Sequence, residues 1–97
     1  MPAYVIAMVQ VTDPTKYEAY KTAAHAAIAA AGGRYLVRGG ASEVLEGDFP
    51  GDRIVVFEFA DMAAAKAFMN SPEYAAAKAH RDGAAKMNLL IVEGLNR

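Results

Sequence analysis

Glu58 and Arg38 are the two residues of this chain whose types and surroundings most readily suit chemistry. Glu58 interrupts the apolar run Arg53–Phe59 (RIVVFEF), and a carboxylate held among apolar side chains demands a partner. Arg38 is the expected one. It closes the stretch Gly32-Gly33-Arg34-Tyr35-Leu36-Val37-Arg38-Gly39-Gly40, in which glycine pairs bracket a short strand and read as a helix stop and a bend. An arginine fixed beside such a bend is suited to hold a carboxylate or another planar anion. Two roles fit the pair. Arg38 holds an anionic substrate group while Glu58 acts as a general acid or base, or the two form an ion pair that fixes strand and dimer register.

Other side chains are candidates at the next level. His80 and Arg81 close a predicted helix, where cations favour the negative end of the macrodipole; the sharper alternative makes His80 a proton-transfer group or haem ligand over a cleft. Tyr4, Tyr35 and Tyr74 could wall a pocket with an apolar body and a polar tip, or simply pack in the core or an interface. Glu46 and Arg53 flank a predicted turn and are expected to pair across a hairpin. His25 falls beside the apolar stripe of its helix, a solvated position. The two histidines are not at ligand spacing and no acidic residue completes a metal set, so no metal is expected. Ser42 and Ser71 lack the surroundings of a nucleophile, and Ser71 reads as a helix cap. Neither glycine pair leads into a helix N-terminus as a phosphate loop does.

Composition narrows the classes further. Net charge is -1 and the basic residues are interspersed with acidic ones, which argues against nucleic acid or an anionic membrane as a partner. No apolar run approaches the roughly 20 residues that span a bilayer, and the N-terminus has no basic-then-apolar leader pattern, so a cytoplasmic protein is expected. With no cysteine there is no disulfide framework, thiolate metal site or thiol nucleophile. No cofactor motif is recognised.

The elements that must position these residues follow from periodicity. Residues 3–11 (AYVIAMVQV) are apolar at both parities, as in a strand covered on both sides. Asp13-Pro14 opens a helix, along which Tyr17, Tyr20, Ala24, Ala27, Ile28 and Ala31 make one apolar face ending at Gly32. Residues 34–39 form a second strand, bent at Gly39-Gly40 and resumed over 42–46; a turn over 47–51 leads to the third strand, 53–59. Asp61 caps a second helix that Ser71-Pro72-Glu73 restarts, and 86–93 (KMNLLIVE) is the last strand. The 97 residues fit one domain, 1–97, with no repeat or linker.

The order β, α, β, β, α, β is the ferredoxin-like arrangement of the α+β class: a four-stranded antiparallel sheet with its helices on one face. The other face of such a sheet should be polar in a monomer. In the first, third and last strands it is mainly apolar, and an apolar surface of that extent usually marks an interface. A second copy related by a two-fold axis is the simplest cover, giving a homodimer with facing sheets. The 22 alanines, most of them in the predicted helices, allow either close packing of helix on sheet or a gap between them.

These residues resemble the DUF1330 family of the dimeric α/β-barrel superfamily. The resemblance is carried by Ala30-Ala31-Gly32-Gly33-Arg34-Tyr35-Leu36-Val37-Arg38-Gly39-Gly40, Leu45-Glu46-Gly47, Arg53-Ile54-Val55-Val56-Phe57-Glu58-Phe59, Asn70-Ser71-Pro72-Glu73-Tyr74 and Val92-Glu93-Gly94, spaced over almost the whole chain. It implies the ferredoxin-like fold and a homodimer forming an α/β barrel. The wider superfamily, as the resemblance implies, holds cofactor-independent monooxygenases, small-ring isomerases, haem-binding enzymes and ligand-sensing domains, so it does not fix a function. One departure is Phe68-Met69-Asn70, where the family often has a bulky aromatic pair. Two functions fit: a cofactor-independent enzyme acting on a small anionic or aromatic metabolite, and a non-catalytic small-ligand-binding or assembly module.

Overall fold

Seven elements follow one another in the computed structural model, which describes residues 1–95: β1 (Ala3–Val11), α1 (Pro14–Ala30), β2 (Arg34–Arg38), β3 (Arg53–Phe59), α2 (Met62–Met69), α3 (Pro72–Ala79) and β4 (Ala85–Glu93). Asn96 and Arg97, the end of the predicted domain, lie outside the described residues. Each helix begins where a capping side chain takes up an orphan amide. Asp13 Oδ1 accepts from the Lys16 N–H at 3.1 Å, Asp61 Oδ1 from the Ala64 N–H at 2.8 Å and Ser71 Oγ from the Tyr74 N–H at 3.1 Å. α1 stops because Gly32 adopts φ 84°, the left-handed turn that ends helices at little cost only in glycine.

The strands pair antiparallel in the order β2-β3-β1-β4, leaving an open, unclosed sheet with β2 and β4 at its edges. The predicted strand over 42–46 does not form: residues 39–52 are irregular apart from turns and bends. A partner for it would have to come from 47–51, where two glycines and Pro50 give up the conformations and the amide that a ladder requires.

Alternation divides the side chains between two faces. Ala3, Val5, Ala7 and Val9 of β1 lie in register with Phe59, Phe57, Val55 and Arg53 of β3, on the face that α1, α2 and α3 cover. Most of these are buried, together with Tyr17, Tyr20, Ile28, Phe68 and Tyr74 from the helices. The rings of Tyr35, Phe57, Phe68 and Tyr74 form a chain with neighbouring centroids 5.9, 5.9 and 5.1 Å apart. Each full burial of such a ring contributes about 1.5–3 kcal/mol. The second face carries Ile6, Met8, Ile54, Val56, Leu90 and Val92, with no helix over it. Val92 is 43% exposed and Leu90 51%.

Candidate functional site

Small residues where α1 crosses the sheet create the site. Ala24 of α1 and Ala7 of β1 cannot fill the space between the layers, and a cavity of about 30 Å³ remains, room for about two water molecules. Of the two outcomes that the alanine-rich helices allow, the gap occurs here. Tyr17 and Tyr20 from α1, Tyr35 from β2 and Tyr74 from α3 wall it, and Arg38, Arg53 and Lys21 bring cationic groups to it; no carboxylate is among its lining residues. Lys21 is already paired, its Nζ lying 2.9 Å from Glu18 Oε1.

Arg38 reaches this site through an irregularity. Arg34 and Tyr35 pair with Glu58 and Phe57, but Val37 and Arg38 pair with Val56 and Val55, so one extra residue is accommodated between Tyr35 and Val37. Such a β-bulge reverses the facing of everything beyond it. Without it Arg38 would share the open face with Arg34 and Glu58. With it, Arg38 turns to the helix side and sets its guanidinium 4.6 Å from the centre of the Tyr35 ring, a favourable cation–π distance. The expected Arg38–Glu58 pair is therefore corrected: the two residues occupy opposite faces, and Glu58 is held by Arg34, whose Nε donates to Glu58 Oε1 at 2.5 Å.

Arg53 also departs from expectation. No cross-strand pair with Glu46 forms, because 42–46 is not a strand and because Arg53 shares the parity of Phe57 and Phe59, which carries it to the covered face. Its guanidinium stands 5.8 Å from the centre of the Tyr17 ring. It also packs against Gly39, where an added Cβ would come within 2.2 Å of Nη1 and where φ is +70°; a side chain there would be strained and would displace the arginine head. The Arg53 Nε is buried with no hydrogen-bond partner.

At the far wall the Tyr20 and Tyr74 hydroxyls meet at 3.1 Å, and Arg81 Nη1 donates to Tyr74 at 3.2 Å. Burial drives the Tyr20 hydroxyl far above the ordinary tyrosine range, with the neighbouring Tyr74 adding to the effect and Arg81 opposing it. Burial also raises Tyr35, against the pull of Arg38. Both phenols thus stay neutral to higher pH than a free tyrosine, which leaves each with a proton to donate.

Of the sequence-predicted site residues, Arg38, Tyr35 and Tyr74 converge on this cavity. Tyr4 does not: it lies on the open face beside Glu58 and Val92. His80 stands exposed at the C-cap of α3 and does not line the cavity. His25 is exposed as expected, yet its ring stacks on Tyr35 at 5.6 Å. Among the described residues no three His, Asp or Glu side chains gather in a metal-binding group, and no helix is long and apolar enough to cross a membrane. Sequence reasoning missed Tyr17, Tyr20, Arg53 and Arg81 as site residues. Strand parity was the available signal for Arg53, and the helical spacing that put Tyr17 and Tyr20 on the sheet-facing stripe was the signal for those two.

This arrangement of sheet, helices and interlayer cavity defines a ferredoxin-like α+β protein. The chain belongs to DUF1330, a domain family of unknown function, whose model matches residues 2–95. No curated protein matches it. Among solved structures it resembles the RPA0582 protein of unknown function from Rhodopseudomonas palustris, at 22% identity and TM-score 0.73 over 99% of this chain and 84% of that one. A dimeric protein of unknown function and ferredoxin-like fold from Bacteroides fragilis is 16% identical at TM-score 0.63, covering 96% of each chain. SnoaB, a cofactor-independent oxygenase from Streptomyces nogalater, is 12% identical at TM-score 0.63 over 99% of this chain and 95% of that one. At these identities the likeness is one of fold.

Proposed function

We propose that this protein is a homodimer, joined through the open faces of its sheets, that binds a small anionic metabolite between α1 and the sheet. The observation that carries the ligand reading is the meeting of Arg38 and Arg53 with four tyrosine rings around a cavity whose lining holds no carboxylate. Guanidinium groups without an internal counter-ion, set in partly dry surroundings, favour a carboxylate or similar planar anion. Support for the dimer is the apolar, helix-free face of the sheet, together with the dimeric state of the Bacteroides fragilis neighbour. Two facing sheets would complete the α/β barrel that the single open sheet leaves unclosed.

Binding without chemistry is the plainer form of this reading, because Glu58 and His80, the general acids or bases that the sequence offers, stand away from the cavity. A cofactor-independent enzyme is the second reading. One feature favours it: the Arg81–Tyr74–Tyr20 chain could donate to an oxyanion as it develops, and preorganised donors of that kind are a large source of catalysis.

Denaturing the purified protein and analysing what is released by mass spectrometry tests the binding reading. An acidic small molecule is expected from the wild type, and at least ten-fold less from Arg38→Ala at the same dimer content. Equal recovery from both proteins would refute the role given to the pocket.

A further inference from the structure

The cavity is lined by donors that the protein satisfies weakly or not at all. At one end, the Arg53 Nε is shut away from solvent with no acceptor, although its head is fixed by Gly39 and the Tyr17 ring. Leaving a buried charged donor unpaired is costly. At the other end a count of protons gives a similar result. Tyr20 and Tyr74 have two hydroxyl protons and share one hydrogen bond, while Arg81 occupies a lone pair of Tyr74. Whichever hydroxyl donates to the other, one proton is left over. When it belongs to Tyr20, the nearest acceptor is the Met87 sulfur at 3.9 Å, a weak partner. Because Arg81 donates into Tyr74, the arrangement Arg81 to Tyr74 to Tyr20 is favoured, and it directs the spare proton from Tyr20 toward the cavity. Tyr20, Tyr74 and Arg53 all line that one cavity.

Resting on the ligand-binding reading above, we infer that the ligand is a short oxo acid, bound with its carboxylate on Arg53 and Arg38 and its carbonyl oxygen on the Tyr20 hydroxyl. A carboxylate supplies the acceptors that the guanidinium groups lack, and Arg38, being exposed, can move to admit it. A carbonyl oxygen takes the spare phenol proton without needing a donor of its own. The gap beside Ala7 and Ala24 holds only about two water molecules as it stands, so the ligand must be short and enters only as Arg38 moves aside to widen it. A group with a proton to donate at the Tyr20 end would compete with Tyr20 rather than complement it.

The test uses chemical-shift titrations of the full-length wild type with three probes of matched length: 4-oxopentanoate, pentanoate and 2-pentanone. The oxo acid is expected to bind at least ten-fold more tightly than either of the others, with shifts at Tyr20, Tyr35 and the Arg53 Nε–H. Tyr20→Phe should remove the preference over pentanoate, and Arg53→Gln should cut the preference over 2-pentanone at least five-fold, with Arg53→Met as a second charge-removing variant should the glutamine form fold poorly. If 2-pentanone or pentanoate binds in the cavity as tightly as the oxo acid, the assignment of ligand class is overturned while ligand binding by the pocket stands. If none of the three binds, but an acidic molecule of another kind is recovered from the wild type, the oxo-acid assignment again fails alone. Failure of both experiments overturns both readings.

Discussion

The two faces of the sheet use the same strands to opposite ends. On the covered face, odd-numbered residues of β1 and β3 bury themselves under three helices, and the cations that reach this side, Arg38 and Arg53, stand over tyrosine rings. On the open face, even-numbered residues of the same strands are nearly as apolar, yet the charged groups paired across β2 and β3 there, Arg34 and Glu58, satisfy each other. The face with a complete helix layer keeps unsatisfied donors, and the face with no layer over it keeps unsatisfied apolar surface. Missing acceptors call for a small molecule; missing apolar cover calls for another sheet.

Leu90→Asp should break this contrast most severely. Leu90 is half exposed in one chain, so the isolated fold should tolerate the change within about 0.5 kcal/mol. In a two-fold dimer the substitution buries two unpaired charges at about 3–5 kcal/mol each. Light scattering should therefore find folded monomers. Phe68→Ala strikes the other side of the sheet: it empties the centre of the ring chain and should cost about 3–5 kcal/mol in urea unfolding, with no preference for the dimeric state.

Alkaline pH separates the faces more gently. In the unfolded chain Tyr20 ionises near 10.0, whereas in the folded one burial holds it neutral well beyond that, and Tyr35 shifts in the same direction. Through these two groups the folded protein binds more protons than the unfolded one around and above pH 10, so their contribution to stability is constant well below that pH and is lost as it is exceeded. Urea unfolding between pH 8 and 11 should show the fall, and Tyr20→Phe should make it shallower. Arg34→Ala is a smaller perturbation than Leu90→Asp or Phe68→Ala. Its own side chain is 67% exposed, but the Glu58 carboxylate that it leaves behind is only 12% exposed, so the loss should cost about 1–3 kcal/mol.

Most of the fold was legible because its signals are local. Caps at Asp13, Asp61 and Ser71, the glycine stop after α1 and the parity of β1 and β3 each act within a few residues, and they specify the βαββαβ order together. The site was half legible. Tyr35 and Tyr74, singled out by type, line the cavity, but the facing of Arg38 depends on a bulge that neither glycine nor proline announces within RYLVR. Counting by alternation alone sends Arg38 to Glu58 and so to the wrong side of the sheet. The inward turn of Arg81, past the end of α3, is fixed by a tertiary partner, Tyr74, that helix-end electrostatics does not identify. Residues 42–46 read as strand because Val44 and Leu45 are apolar, yet the loop leaves Leu45 86% exposed.

The division of labour between the faces rests on the open one being shared with a second copy. Light scattering of the purified wild type at micromolar concentration is the most direct measurement of it. A particle of twice 10.3 kDa is the result this account requires. Soluble, folded particles of a single chain's mass would contradict it.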